Sequence, residues 1–239
     1  MHIILFTIEG DGDYAYGATA TLTAHPNLQF DFFCWFEDDD VLSFDPSVSF
    51  EVAENHVIYA VFVENEDIIQ TVSLSEGWNW FSTYLDITLD DLKAALVSAL
   101  PGTNISINSQ GVGSTTYANN RWRGTLTALD LSQMYMISVT ADCEMTLVGV
   151  PINPSMHPVT LHPDFNWMAF PLSQGMTLTD VFQGFAVNGD MVISQAEGSS
   201  TYTNRWRGTL STLEPGRGSR YQSTITAGDR VFTFPISTK

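Results

Sequence analysis

The chain has 239 residues, of which 27 are acidic and only 9 are Lys or Arg, so its formal net charge is −18. A hydrophobic content of 44% is sufficient for buried cores and excludes a disordered acidic polymer. Residues 1–92 contain 18 of the acids and no Lys or Arg, whereas residues 93–239 are neutral overall. Such a field repels phosphates and anionic lipids, which excludes nucleic acid and anionic membrane surfaces as partners of the N-terminal region. The sequence has no run of 18 apolar residues, so we predict no membrane insertion.

The first part of the chain has the pattern of an all-β domain, which we place at residues 1–66. The predicted strands span residues 3–8, 19–24, 30–36 and 57–62. Turn clusters at 10–13 and 37–40 separate them, and the second cluster is strongly acidic. The N-terminus lacks a basic region and a small-residue cleavage site, so it is interpreted as a strand rather than as a signal peptide.

Residues 70–239 contain a duplicated module of about 85 residues. The hexapeptide Arg-Trp-Arg-Gly-Thr-Leu occurs at residues 121–126 and again at 205–210. Upstream of it, both copies have an Asn-Trp pair, a helix cap beginning Thr-Leu, a Ser-Gln pair and a Thr-Tyr pair. We therefore predict two related β-rich modules, 70–150 and 151–239, each with a short helix that is about one turn shorter in the second copy.

The hexapeptide is predicted to be a strand with two different faces. With period two, Trp122 and Leu126 lie on one face, and Arg121 and Arg123 lie on the other. The same holds for the second copy. We therefore expect the tryptophans of the hexapeptides in the core and the arginines in solvent or at an interface.

The N-terminal domain resembles the InlB B-repeat family of the Listeria-Bacteroides type. The resemblance rests on Tyr16-Gly17, the segment 19–24, Pro26, Phe30, Trp35, Val52, Asn55 and Ala60-Val61-Phe62. It implies a β-grasp-like unit that serves surface proteins as a spacer or adhesive module without catalysis. This copy departs from the family pattern in having Cys34 where Gly is usual and in its acidic loop.

The two modules resemble a repeat of secreted and outer-surface proteins of Bacteroidetes. Its marks are the Gly-Trp-Asn-Trp opening at 77–80, the Trp-x-Gly-x-Leu strand, and the turn Leu-x-Pro-Gly-x-Gly at 213–218 followed by Tyr221. The first copy lacks the Pro-Gly turn, and the second has Asp164-Phe165 at the opening. This resemblance implies an extracellular or cell-surface location rather than an activity.

Catalytic and metal-binding patterns are weak. The histidines lack zinc-site spacing, and we interpret His157 and His162 as loop residues. There is no nucleophile elbow, and acids recur in both copies only at the helix-cap pair Asp91/Asp180 and at the candidate pair Asp130/Glu214. The acidic loops at 11–13 and 37–45 are interpreted as solvated, with calcium binding as the alternative. Cys34 and Cys143 are predicted to be free thiols, because they lie in different domains. We expect neither an enzyme nor a cofactor.

Two sets of residues are the candidates for binding. Arg121, Arg123, Arg205 and Arg207 recur at matched positions, and we expect them at an interface with a protein or a second copy of the chain. Trp78, Tyr117 and Tyr202 are candidates for stacking on a ligand.

The sequence favours a non-catalytic surface module that acts as a stalk, spacer, adhesion or assembly unit. The first alternative is a carbohydrate-binding protein with two repeated sites, whose partner is a surface glycan. The second alternative is a virion or filament subunit.

Overall fold

A computed structural model describes residues 6–26, 30–38, 40–64, 66–225 and 227–235. The chain forms two compact units, Met1–Asp67 and Ile68–Lys239. Both are built mainly from antiparallel strands, which confirms the predicted β class. The beginning of the strand predicted at 3–8 lies outside the described residues.

The first unit contains two three-stranded antiparallel sheets, β1-β2-β5 and β4-β3-β6. The strands are β1 (Phe6–Glu9), β2 (Thr19–Pro26), β3 (Phe30–Glu37), β4 (Asp40–Ser43), β5 (Ser47–Glu51) and β6 (Ile58–Glu64). Trp35 is fully buried at the centre, with Leu22 and Ala24 against it. The ring of Phe32 packs on Trp35 with centroids 5.5 Å apart. Alternate residues of β2 are buried, as the alternating apolar pattern of its sequence predicts.

The first module of the second unit has a five-stranded sheet of order β12-β11-β10-β13-β8. Its elements are β7 (Ile68–Leu74), β8 (Gly77–Phe81), β9 (Leu85–Asp86), α1 (Leu89–Ala99), β10 (Ile105–Asn108), β11 (Ser114–Ala118), β12 (Arg121–Gly124), β13 (Tyr135–Val139) and β14 (Cys143–Pro151). Strands β7 and β9 flank β14 in a second sheet. Helix α1 packs its buried Leu92 and Leu96 into the core of this module.

The second module repeats this sheet as β20-β19-β18-β22-β16. Its elements are a 3-10 turn (Pro154–Met156), β15 (Val159–Leu161), β16 (Asp164–Met168), β17 (Met176–Thr177), α2 (Leu178–Val181), β18 (Met191–Ser194), β19 (Gly198–Tyr202), β20 (Trp206–Gly208), β21 (Thr212–Leu213), β22 (Ser219–Ser223) and β23 (Arg230–Phe232). The registers also correspond, because Trp80 pairs with Met136 in the first sheet and Trp167 pairs with Arg220 in the second. Duplication at the level of sequence is therefore duplication of topology.

The predicted helix caps are present in both modules. Thr88 accepts a hydrogen bond from the amide of Asp91 and completes a capping box, and Thr177 accepts one from Asp180. The predicted length of the second helix is wrong, because α2 has 4 residues where α1 has 11. The chain continues from α2 into a turn that contains Gly184, whose φ of +72° is incompatible with further helix.

The glycine of the hexapeptide has a geometric role in each copy. Gly124 and Gly208 have φ values of +157° and +149°. A Cβ on either would lie 2.1 Å from a main-chain oxygen of the neighbouring strand, that of Ser114 or Ser199. The glycine lets the edge strand bend there, so that the following Leu126 or Leu210 enters the core.

The prediction that the hexapeptide tryptophans are core residues holds in part, because both rings pack against the core clusters of their modules without being fully buried. Trp122 and Trp206 are half-buried, and each packs on the tyrosine of the adjacent strand with centroids 5.3 Å apart. These partners are Tyr117 and Tyr202. The edge position of β12 and β20 leaves one side of each indole without a neighbouring strand, and this explains the partial exposure.

Candidate functional site

The asparagine of the Asn-Trp pair that opens each module holds the preceding turn in place through its side-chain amide. The side chain of Asn79 accepts a hydrogen bond from the amide of Ser75 and donates to the carbonyls of Ser75, Gly77 and Ile137. Asn166 makes the corresponding four hydrogen bonds in the second module. The amide thereby fixes the turn before strands β8 and β16, which are edge strands of the two five-stranded sheets.

The tryptophan after each of these asparagines lies at a reciprocal interface between the modules. The amide of Trp80 donates to Gln195 of the second module at 2.7 Å, and Gln195 donates to the carbonyl of Trp78. Gln110 of the first module makes the same two contacts with Trp167 and Phe165. Each glutamine side chain therefore acts like a short segment of additional strand on the free edge of the other module.

Main-chain contacts extend this edge pairing. The amide of Ser82 donates to the carbonyl of Gly216, and the amide of Gly218 donates to that of Trp80. On the matching side, the amide of Ala169 donates to the carbonyl of Ser132. Contacts in which each partner reciprocates those of the other define a pseudo-twofold relation between the modules.

At one pair of corresponding positions in the interface, the two modules have side chains of very different size. A Cβ on Gly218 would lie 2.3 Å from the Cβ of Met134, which is its counterpart in the first module. Met134 is fully buried. A large side chain on both sides would collide, and this explains why the Pro-Gly-x-Gly turn occurs in only one copy.

Arg220 lies between the two interface tryptophans. Its guanidinium is 4.7 Å from the ring centroid of Trp80 and 5.7 Å from that of Trp167. A cation over an indole face is stabilised by about 0.5–2 kcal/mol, depending on its desolvation. The corresponding residue in the first module is Met136, so only one side chain occupies this position as a cation.

Two polar clefts flank the interface, and both are lined by residues of both modules. The Trp78 cleft has a volume of about 470 Å³, with Trp78, Asn79, Trp80, Gln195 and Arg217 among its lining residues. The His162 cleft has a volume of about 440 Å³, with His162, Asn166, Trp167, Gln110 and Gln133 among its lining residues. Four pairs of these residues correspond between the modules: Asn79 with Asn166, Trp80 with Trp167, Gln195 with Gln110, and Arg217 with Gln133. Trp78 corresponds instead to Phe165, and His162 corresponds to Ser75, so the two clefts are related in the same way as the modules but differ at these positions.

The structure separates the three aromatic residues predicted to stack on a ligand. Trp78 is 43% exposed and lies in the cleft named after it. Tyr117 and Tyr202 are half-buried against Trp122 and Trp206 on the outer hairpins, β11–β12 and β19–β20. Of the three, Trp78 is the one that lines a cleft at the interface between the modules.

The four predicted interface arginines are all exposed, and they lie on the same two outer hairpins. Within the described residues, the ion pairs of Lys and Arg side chains involve Lys93, Arg217 and Arg230 instead. Arg121, Arg123, Arg205 and Arg207 are thus uncompensated cations on the surface of the second unit. They take no part in the interface between the modules.

A buried network of hydrogen-bonded titratable side chains lies in the second module and is centred on Asp190. Asp190 is fully buried, and it accepts hydrogen bonds from Tyr221, Arg230 and Thr224. Burial alone would raise the pKa of Asp190, but these donors and the amide of Val187 outweigh it and lower the pKa below its ordinary value. This network lies in the protein interior, away from both clefts.

The acidic loop and the two cysteines were the remaining candidates for metal binding or a disulfide. Glu37 is bound to His56 at 2.9 Å and to the amide of Val57, while Asp39 lies outside the described residues. In the described part of the chain, no three His, Cys, Asp or Glu side chains form a group that could hold a metal. Cys34 and Cys143 are free, as predicted, although Cys143 is only half-buried.

Residues 7–66 match the family model of the divergent InlB B-repeat domain. The resemblance of the N-terminal domain is thereby confirmed, and such a domain suggests a cell-surface module. The comparisons found no similar curated protein and no similar solved structure. Among the described helices, none has the length and apolar character that a membrane crossing requires.

Sequence reasoning noted the repeated Ser-Gln pair without assigning it a role. The structure gives that role to Gln110 and Gln195, which join the modules. Arg220 and Met134 belong to none of the repeated motifs, and Gly218 belongs to the Pro-Gly-x-Gly turn that occurs in only one copy, so no local signal identifies the three as interface residues. The sequence feature that indicates such a role is the recurrence of the polar Ser-Gln pair in both copies, which neither a strand pattern nor a helix pattern requires.

Proposed function

We propose that this protein is a non-catalytic structural module of the cell surface or extracellular space. The main support for the proposal is that the residues repeated in both modules have structural roles. The repeated asparagines, glutamines and hexapeptide glycines serve to clamp turns, cover sheet edges and bend strands. Repetition that serves architecture is typical of scaffolds, and the InlB B-repeat domain supports a surface location.

We further propose that residues 70–239 are two repeats of the Bacteroidetes surface-protein type. The Pro-Gly-x-Gly turn supports this, because Gly216 and Gly218 supply main-chain contacts to the opening strand of the first module. In this interpretation, consecutive repeats pair through reciprocal edge contacts and form one rigid spacer element.

The surface location can be tested on intact cells of the producing organism. An antibody against the second unit should label unbroken cells, and external protease should remove that label. A cytoplasmic protein serves as the control for lysis. Labelling that requires cell disruption would contradict the proposal.

The charge distribution favours a role in assembly. The first unit has no Lys or Arg, and its exposed acids include Asp38, Asp40 and Asp45. The second unit carries the uncompensated arginines of the outer hairpins, and arginine pairs bidentately with carboxylates. We propose that the acidic domain of one copy binds these hairpins on another copy.

Light scattering at low and high ionic strength tests this assembly. The wild-type mass should increase at low salt and return to that of one chain, 26.4 kDa, at high salt. The double change Arg121→Ala with Arg205→Ala should weaken the association, whereas Arg→Lys at the same positions should preserve most of it. A salt-independent monomer would contradict the assembly role and leave the surface location untouched.

A further inference from the structure

We propose that the Trp78 cleft binds a neutral saccharide, with the exposed indole of Trp78 as the stacking surface. This inference deepens the proposed surface function and rests on it. It assigns one ligand site to the junction of the two modules.

The dimensions of the cleft suit a short oligosaccharide. Its volume of about 470 Å³ falls within the range of about 300–1,000 Å³ that is usual for small-molecule sites. The indole of Trp78 is 43% exposed at this concave surface. A flat aromatic face beside polar groups is suited to a ligand that has both C–H and hydroxyl surfaces.

Hydrogen-bonding groups surround the indole. The hydroxyls of Ser73 and Ser75 and the carboxylate of Glu76 lie on exposed residues that line the cleft. Arg217 adds a donor on the opposite module. Hydroxyl, carboxylate and guanidinium groups together supply the donors and acceptors that a sugar diol requires.

The charge of the cleft favours a neutral ligand over an acidic one. The guanidinium of Arg217 is 3.2 Å from the carboxylate of Glu197, so its charge is already compensated. Glu76 is a further negative charge on the wall. An anionic sugar would be repelled, since no spare cation lines this cleft among the described residues.

The ring of Trp78 is available because the interface does not require it. Gln195 binds the main-chain carbonyl of Trp78, and any residue supplies that oxygen. The equivalent carbonyl in the second module belongs to Phe165, which shows that a smaller ring is compatible with the same contact.

The His162 cleft serves as an internal control. Phe165 is 39% exposed, but it is outside the set of described residues that line that cleft. His162 and Gln133 stand there in place of Ser75 and Arg217. The stacking surface and its polar neighbours therefore come together in one cleft, and we expect one site per chain.

The full chain should be tested on an array of immobilised neutral and acidic glycans, with titration against the best neutral ligand. Trp78→Ala should weaken binding by about tenfold or more, and the matched control Phe165→Ala should leave it unchanged. Ala196→Gln places a larger side chain at an exposed position of the cleft and should also weaken binding, without removing a core contact. Circular dichroism and thermal unfolding check that each variant is folded.

The outcomes separate the possibilities. Binding of neutral glycans that is lost in Trp78→Ala and Ala196→Gln but retained in Phe165→Ala supports the site. Absence of glycan binding, a preference for acidic glycans, or equal losses in Trp78→Ala and Phe165→Ala would overturn it. None of these results alters the outcome of surface labelling, so failure of the site is distinguishable from failure of the proposed surface function.

Discussion

At the scale of single residues, the two modules fill three corresponding positions with different chemistry, polar in the second module and apolar or thiol in the first. Asp190, Tyr221 and Arg230 occupy positions that correspond to Ile105, Ile137 and Cys143 in the first module. The Asp190–Arg230 ion pair is 2.8 Å long, with 0% and 13% of the two side chains exposed. Removing one member of such a pair costs more than the pair itself contributes, because the other charge is left buried.

We expect Asp190→Ala to destabilise the second unit by about 3–5 kcal/mol. The change leaves Arg230 and the hydroxyl of Tyr221 without their buried acceptor. Urea unfolding followed by tryptophan fluorescence measures the effect. The control is Asp229→Ala, which removes a half-exposed partner of His162 and should cost less than about 1 kcal/mol. Equal effects would contradict the importance of the network.

The same network predicts an acid dependence of stability. Because the folded state lowers the pKa of Asp190 below 3.8, its contribution is complete above that value. The contribution is then lost as the pH falls through the lower folded-state pKa. The urea midpoint of the wild type should therefore drop more steeply below about pH 4 than that of Asp190→Asn. Parallel pH profiles would refute this linkage.

A second residue-scale prediction concerns the contact of Met134 with Gly218. Gly218→Ala should cost about 1–3 kcal/mol through overpacking, and Met134→Ala alone about 2–5 kcal/mol through a cavity. The double variant should cost less than the sum, because Met134→Ala removes the Sδ and Cγ atoms that would lie 2.8 and 3.0 Å from the new methyl group, while the contact with the Cβ at 2.3 Å remains. Additive costs in a double-mutant cycle would show that the two positions are not coupled.

At the scale of elements, edge coverage explains how two modules become one unit. Strands β8 and β16 would each expose unpaired main-chain groups, which attract other strands. Gln195 and Gln110 bind these groups from the opposite module. The repeated Ser-Gln pair is thus a connector rather than a ligand-binding motif.

Amide hydrogen exchange tests the two connectors separately. Gln195→Ala should accelerate exchange at the amide of Trp80 and leave that of Trp167 protected, and Gln110→Ala should do the reverse. Each change should cost about 0.5–1.5 kcal/mol, because the lost hydrogen bonds lie at exposed positions. Equal acceleration at both amides in either variant would mean that the interface opens as a whole, instead of through independent connectors.

The helix caps offer a comparison between copies. Thr88→Ala should destabilise the first module by about 1 kcal/mol, because the capping box begins a helix of 11 residues. Thr177→Ala should cost less, since α2 has only 4 residues. Thermal unfolding of both variants provides the comparison, and a larger effect at Thr177 would contradict it.

At the scale of the whole molecule, the chain has two compact units, each with its own buried core. The N-terminal unit carries most of the net negative charge, because it has 14 of the 27 acids and no Lys or Arg, and the C-terminal unit carries every Lys and Arg. Within the second unit, the modules share reciprocal contacts, so we expect them to unfold together although their hydrophobic clusters are separate.

Cooperativity of the second unit can be measured with a variant of one module and a probe in the other. Asp190→Ala lies in the second module, yet it should also accelerate exchange at the amides of Ile107 and Ile137 in the first. Trp35, the only tryptophan of the first unit, reports on the other unit and should be unaffected. Unchanged protection of the two isoleucine amides would show that the modules unfold independently.

The sequence by itself determined the β class, the duplication, both helix caps and the InlB B-repeat domain. These features are encoded locally, by alternation of apolar residues, by turn residues and by repeated motifs such as the hexapeptide. It also indicated exposed arginines, because a period-two strand places alternate side chains on opposite faces.

Only the tertiary structure decided what the repeated residues contact. Gln195 and Trp80 are far apart in the chain, and the reach of an amide side chain to an edge strand depends on how two modules pack. Local pattern placed Trp122 and Trp206 in the core, but the edge position of their strands exposes part of each ring. Burial of Asp190 depends likewise on donors from β22 and β23, which follow it in the chain and meet it only after folding.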